Sequence, residues 1–388
     1  MNILFFHNNC IKPTGGGISR ITYNLSKVFV EGGNKVWFLS SERVDEGERL
    51  NNQLLFPNLK EVYSEENKAF IIQFCRDNAI DVIINQSALL LSFCKLMSEI
   101  PKVKKISVIH SSLFVPYRHS VYLVEYQLRK KGLGFLLPVL KTKFVNDMAV
   151  RMMVRKRRLQ YQAMVDYSDV VICLTKGQVD DFRLFLTKND MKKLHVIHNC
   201  VELNNTFTLP EKRKKQVLWL GTIDFSIKRT DLILRIWNKV SRNHPDWQLK
   251  ILGDSPYLSE AKGYAQKIGV QQVEFTGRVN PESYYQESQI TCITSTHEAF
   301  CMVMLESLKY GLVPMAFDSF PAAKEVIDNG VNGILVTPFS VNEYAKKLDQ
   351  MMTEDNTREK IQKAALASAK QFDDRLIAKQ WLQLIRNM

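Results

Sequence analysis

At 388 residues the chain is too long for one ordinary core and suits two domains of nearly equal size, with 45% hydrophobic residues to fill them. Seven cysteines, at 10, 75, 94, 173, 200, 292 and 301, form no Cys-x-x-Cys pair, which argues against a zinc site or a disulfide framework and suits a reducing compartment. The net charge of +13 is concentrated: residues 117–158 hold eleven Lys and Arg against Glu125 and Asp147.

In chain order, the run Met1 to His7 has strand length and lacks signal-peptide flanks, and no run reaches the roughly 18 apolar residues of a membrane-spanning helix. The expected location is the cytoplasm, with peripheral attachment to the inner face of a membrane. From there short apolar runs alternate with helical stretches, the pattern of parallel sheets with crossover helices. One series of strands is expected at 3–7, 35–40, 82–85, 105–110, 170–174 and 195–198. In the basic segment 117–158, Phe135, Leu136, Leu137, Val139, Leu140, Phe144, Val145, Met148 and Met152 are interleaved with the charges in a partly helical pattern. An anionic membrane surface fits that mixture, and a solvated basic helix remains the alternative. Nucleic acid is not the expected partner, because no helix-turn-helix, zinc-finger or aromatic RNA-binding motif accompanies the charge. Residues 201–215 are polar, contain Pro210 and end in Lys212-Arg213-Lys214-Lys215, as a linker would. A second series of strands follows at 216–221, 248–252, 272–276, 290–293, 313–317 and 333–336. The tail 372–388 spaces Leu376, Trp381, Leu382 and Ile385 as an amphipathic helix. The reading is α/β, with domains at 1–200 and 216–371.

Ligands of doubly wound sheets collect at the carboxyl ends of the strands. Thr14-Gly15-Gly16-Gly17 follows the first strand and precedes a helix, so its unhindered amides suit a phosphate or an incoming acceptor. His110 ends the fourth strand of the first series. In the second series Ser295-Thr296-His297-Glu298-Ala299-Phe300-Cys301-Met302 links the strand 290–293 to a helix expected at 302–310, closed by Gly311. The backbone N–H groups of Ala299, Phe300, Cys301 and Met302 at that helix start form an anion site, suited to a diphosphate. Glu298 and Glu306 flank it, placed to accept hydrogen bonds from a transferred sugar and a ribose. Alone, two glutamates around a helix start are a common capping and surface feature.

Their neighbours carry more. Val196-Ile197-His198-Asn199, Trp219-Leu220-Gly221, Lys228, Phe275-Thr276-Gly277-Arg278, Gly311-Leu312-Val313-Pro314, Lys324-Glu325-Val326-Ile327 and Asn332-Gly333-Ile334-Leu335-Val336 occur in that order. With the Glu298 motif they closely resemble the family-4 retaining glycosyltransferases of the GT-B fold, most strongly over 170–340. The resemblance implies two Rossmann-like domains facing a cleft, with the terminal helix returning to the N-terminal one. It also implies a nucleoside-diphosphate-sugar donor, a glycan or lipid-linked acceptor, and attack from the face the diphosphate leaves. On that pattern Glu298, Lys228 and His110 are catalytic. Gly16, Gly17, Thr222, Arg229, Arg278, residues 299–302 and Glu306 bind the donor. Two departures stand out. Thr222 replaces the usual basic residue after Gly221, so Arg229, where the family more often has glycine, either supplies that charge or points to solvent. Cys301 replaces a frequent glycine. No Asp-x-Asp is present, so neither cofactor nor metal is expected. An epimerase-like sugar-nucleotide enzyme and a catalytically weakened nucleotide-sugar-binding protein remain open alternatives.

Overall fold

The computed structural model describes residues 1–13, 15–42, 50–113, 119–187, 189–203 and 208–388. Thr14 of the glycine loop, Tyr117 and Arg118 of the basic segment and 204–207 of the expected linker lie outside the described residues.

The chain forms two compact units. The first comprises Met1–Ser111, Met153–Glu202 and Phe372–Met388. Its sheet contains β1 (Asn2–His7), β2 (Lys35–Ser40), β3 (Gln53–Leu55), β4 (Val82–Asn85), β5 (Lys104–Ile109), β6 (Val170–Cys173) and β7 (Leu194–Val196). The strands pair in parallel in the order β3-β2-β1-β4-β5-β6-β7. Helices on both faces explain why β1 and β4 are apolar without alternation and almost wholly buried. The second unit comprises Ser112–Met152 and Leu203–Gln371. Its strands are β8 (Gln216–Leu220), β9 (Gln248–Leu252), β10 (Val273–Gly277), β11 (Ile290–Ile293), β12 (Val313–Phe317) and β13 (Ile334–Val336), in the order β10-β9-β8-β11-β12-β13.

Every strand expected from the sequence is present, within a residue or two at each end. β3 is additional: three residues on a sheet edge give too short a pattern to read. In each sheet the strand order reverses once, at β1/β4 and at β8/β11. A ligand-binding crevice opens at such a switch point.

The two units differ from the division 1–200 and 216–371 in one respect. Ser112–Met152 leaves β5 of the first sheet and packs with the second unit, so the basic segment 117–158 is shared between units. The Ser120–Lys130 helix provides the reason. Tyr126 is buried in the second unit's core and stacks on Phe225 at 3.9 Å and 9°, and Tyr122 stacks on Phe339 at 3.9 Å. The Lys143–Asp166 helix then carries the chain back, its residues from Met153 grouping with the first unit. At the end of the chain, the Asp374–Asn387 helix buries Ile377, Ala378, Trp381 and Ile385, and Lys104 Nζ donates to the Ile385 carbonyl at 2.6 Å.

Candidate functional site

In the second unit, loops from the two strands at the switch point form the site. The first follows β8. Here Asp224 accepts backbone N–H bonds from Ser226 at 2.8 Å, Ile227 at 2.5 Å and Lys228 at 3.1 Å, an Asx-type turn that turns the chain back toward β11. The second follows β11. Thr294 Oγ1 donates to the Lys228 carbonyl at 2.7 Å and accepts from Trp219 Nε1 at 2.9 Å, while Thr296 N–H donates to the Ile227 carbonyl at 2.7 Å. Each loop therefore satisfies the other's backbone.

This stitching brings Lys228 Nζ onto Glu298 Oε1 in a short ion pair, and Ser295 Oγ donates to the same oxygen at 2.7 Å. Both side chains are mostly covered but reach solvent, 24% exposed for Lys228 and 15% for Glu298. Burial pushes the Lys228 pKa down, but the Glu298 carboxylate, with Cys301 and Asp224, outweighs it and raises it. Lys228 is thus a held cation in a partly desolvated setting. Glu298 lies in the turn at the carboxyl end of β11, and the helix after it spans Met302–Lys309, one residue short of the expectation. Cys301 caps that helix at φ 67°. The backbone thus keeps the left-handed turn that glycine favours, and the Cys301 side chain is buried. Burial first, and then Glu298, push its thiol up to about 12, so it stays protonated. In the helix's first turn Met304 N–H donates to the Cys301 carbonyl at 3.1 Å, and the first-turn N–H groups carry the positive end of the dipole. Glu306, one helical turn further on, accepts from Tyr285 Oη at 2.7 Å, and Tyr285 stacks on Tyr310.

Three glycines end adjacent strands beside these loops: Gly221 after β8, Gly253 after β9 and Gly277 closing β10. Gly221 N–H donates to the Leu252 carbonyl and Gly253 N–H to the Gly277 carbonyl. A Cβ on Gly253 would lie 1.8 Å from the Gly221 oxygen, so only glycine fits. Gly253 escaped the sequence reading, although Leu252-Gly253 at a strand end was its signal. Thr222 and Arg278 are both exposed at these strand ends.

Arg229 is the correction. It neither replaces the charge missing at Thr222 nor faces solvent. Its side chain is fully buried and bonds Asp231 at 2.8 and 2.9 Å, Glu125 at 3.3 Å and the Tyr122 carbonyl at 3.0 Å. Its guanidinium is thus engaged with the Ser120–Lys130 helix rather than with the loops of the site.

In the first unit, Gly16 caps the Gly17–Glu31 helix after β1, and space is open around it. His110 follows β5, with Nε2 2.5 Å from Gln86 Oε1. Because a carboxamide oxygen only accepts, Nε2 carries the proton. Burial, with the His7 ring beside it, pushes the His110 pKa down to about 3, so the imidazole is neutral.

Two Rossmann-like units, each with its strand order reversed at a single switch point, constitute the GT-B architecture. Residues 203–367 match the family model described as "Glycosyl transferases group 1". Among curated proteins the chain is 31% identical over 163 residues to an "Uncharacterized glycosyltransferase" of Haemophilus influenzae, covering 40% of this chain and 46% of that protein. It is 25% identical over 199 residues to the Campylobacter jejuni "GalNAc-alpha-(1->4)-GalNAc-alpha-(1->3)-diNAcBac-PP-undecaprenol alpha-1,4-N-acetyl-D-galactosaminyltransferase", covering 50% of this chain and 55% of that one. The alignments therefore span about half the length of these relatives. Among solved structures, Anabaena HepE in complex with UDP and glucose superposes with a TM-score of 0.75 over 100% of both chains at 16% identity, a likeness of fold.

Proposed function

We propose that the chain is a retaining, metal-independent glycosyltransferase. It moves a hexose-type sugar from a nucleoside-diphosphate sugar to a glycan or lipid-linked acceptor in cell-surface polysaccharide synthesis. One observation carries this reading: Lys228 and Glu298, seventy residues apart, meet where the β8 and β11 loops converge, with a helix N-terminus and Glu306 beside them.

Lys228 and the first-turn amides receive the diphosphate, Glu306 the ribose, and backbone near Arg278 the base. Glu298 orients the sugar through its hydroxyls. The acceptor oxygen attacks the anomeric carbon on the face the diphosphate leaves. The bond to the phosphate oxygen breaks as the new glycosidic bond forms, and the acceptor's proton passes to the departing phosphate oxygen. A fixed ammonium beside that oxygen supplies the charge stabilisation a metal gives elsewhere. The absence of Asp-x-Asp supports this assignment. In the first unit, Gly16 and Gly17 present amides to phosphate or acceptor. His110, being neutral, serves as a hydrogen-bond partner for a hydroxyl rather than as an acid. The cationic and apolar exterior of the basic segment 117–158 faces an anionic membrane that holds the acceptor, on the cytoplasmic side.

Glu306→Ala should weaken nucleoside-diphosphate binding and Glu298→Ala should chiefly lower turnover, each by about 1–3 kcal/mol for a lost carboxylate–hydroxyl contact. Calorimetry with nucleoside diphosphates and transfer assays with lipid extracts read the two effects. Wild-type affinity and rate in both folded variants would rule out the assignment, and conversion of donor without acceptor would favour an epimerase-like enzyme.

A further inference from the structure

The excursion Ser112–Met152 grips both loops of the donor site, and each grip ends on a site residue or on its neighbour in sequence. At its start, Ser112 Oγ donates to the Glu298 carbonyl at 2.6 Å. On its helix, Glu125 accepts from Arg229, the residue after Lys228.

The second grip is unusual in its cost. Arg229 adopts φ 55° and ψ 57°, a left-handed conformation that is strained for a residue with a Cβ. Glycine would take it freely. The arginine also requires its guanidinium to be compensated in the interior, which Asp231 and Glu125 do, with the Glu125 side chain only 5% exposed. Glu125 further accepts from Arg129 at 3.0 Å and Lys141 at 3.1 Å. Burial pushes the Glu125 pKa up, but Arg229 and Lys141 win and hold it near about 2. The excursion is therefore anchored by ionised groups at the residue next to Lys228. Thr294 Oγ1 ties the Arg229 carbonyl to the β11 loop at 3.2 Å.

We propose that Glu125 and Ser112 are positioning residues: through Arg229 and through the Glu298 carbonyl, the excursion holds Lys228 and Glu298 in register with each other. This rests on the donor-site reading above, but its first test needs no sugar transfer. Loss of register weakens the Lys228–Glu298 pair, lowers the raised pKa of the amine and makes it more reactive. Acylation of Lys228 by an N-hydroxysuccinimide ester at pH 8.5, read by peptide mass spectrometry, should rise severalfold in Glu125→Gln, because a weaker pair with Glu298 leaves more of the amine unprotonated. Ser112→Ala, a milder change at an independent contact, should shift it in the same direction. Lys347, paired with Glu343, serves as the internal control. The double variant Glu125→Gln/Arg229→Gly severs the grip without leaving a buried cation to compensate, so Lys228 labelling should stay raised; a return to wild-type labelling would show that Glu125 only compensates the Arg229 charge and would overturn the positioning role. Unchanged Lys228 labelling in folded Glu125→Gln and Ser112→Ala would overturn the proposal. Altered labelling in a protein that transfers no sugar would uphold the positioning and remove the functional reading instead.

Discussion

Lys228 pairs with Glu298, and Thr222 leaves no second cation directly after Gly221. Leaving-group stabilisation should therefore depend on it heavily. Lys228→Ala is expected to cut transfer by roughly a hundredfold or more, the scale seen when a preorganised transition-state partner is lost. EDTA should leave the rate unchanged; activity abolished by chelator and restored by magnesium would contradict the mechanism. His110 gives a second test at this scale. Its folded pKa, about 3, lies below the ordinary 6.5, so the folded state refuses a proton that the unfolded chain accepts. The resulting stability is present above pH 6.5 and is lost as pH falls toward 3. At pH 5.5 the loss should be about 1 kcal/mol. Denaturant titrations at pH 7.5 and 5.5 should show it, and His110→Gln should flatten the difference. An unaltered pH dependence in that variant would show that the imidazole is not held neutral.

Elements were more legible than their partners. Parallel strands covered on both faces read as short apolar runs, so twelve of the strands could be located from sequence, as could the helix that begins at Met302. The Glu298 turn and Lys228 were legible as residues. What joined them was not: Asp224 folds its own loop through ordinary Asx-type bonds, and Thr294 and Thr296 are ordinary loop polars whose contacts reach a loop distant in sequence. The allegiance of the Ser120–Lys130 helix was hidden for the same reason, since Arg229 lies more than a hundred residues from Glu125. Arg229 and Cys301 show how a family position constrains backbone rather than side chain. Both stand where glycine is frequent, and both retain its left-handed turn. Glycines whose neighbours are backbone give a test with two signs. Gly253→Ala should destabilise the second unit by about 3 kcal/mol or more, because the Gly221 carbonyl it meets cannot rotate away. Gly263, exposed in the Leu258–Lys267 helix with nothing near an added Cβ, should instead gain about 0.5–1 kcal/mol as alanine. Chemical denaturation of the two variants reads both, and equal effects would show the strand-end packing to be looser than described.

For the whole molecule, exposed apolar side chains and part of the basic segment 117–158 fall on the same excursion. Along the Lys143–Asp166 helix, Phe144, Met148 and Met152 stand four residues apart and are 76%, 47% and 67% exposed. Phe135 and Val139, just before it, are also exposed. Residues four apart share a helix face, so these form a stripe turned outward, with Lys143 and Arg151 exposed beside it. Among the described residues no helix is long and apolar enough to cross a membrane, so attachment through this excursion would be to a surface. Each basic residue near anionic lipid contributes about 1 kcal/mol, and salt screens it within about 10 Å at 0.1 M. The apolar stripe gives a contribution that salt does not remove. Lys143→Ala/Arg151→Ala should therefore weaken binding to anionic vesicles at low salt only, whereas Phe144→Ser/Met148→Ser/Met152→Ser should weaken it at low and high salt alike. Both variants should use a soluble acceptor analogue at the wild-type rate and a lipid-linked one more slowly. Co-sedimentation with phosphatidylglycerol and phosphatidylcholine vesicles decides it: a folded wild-type protein that binds neither at low salt has a solvated basic face and no membrane role for it.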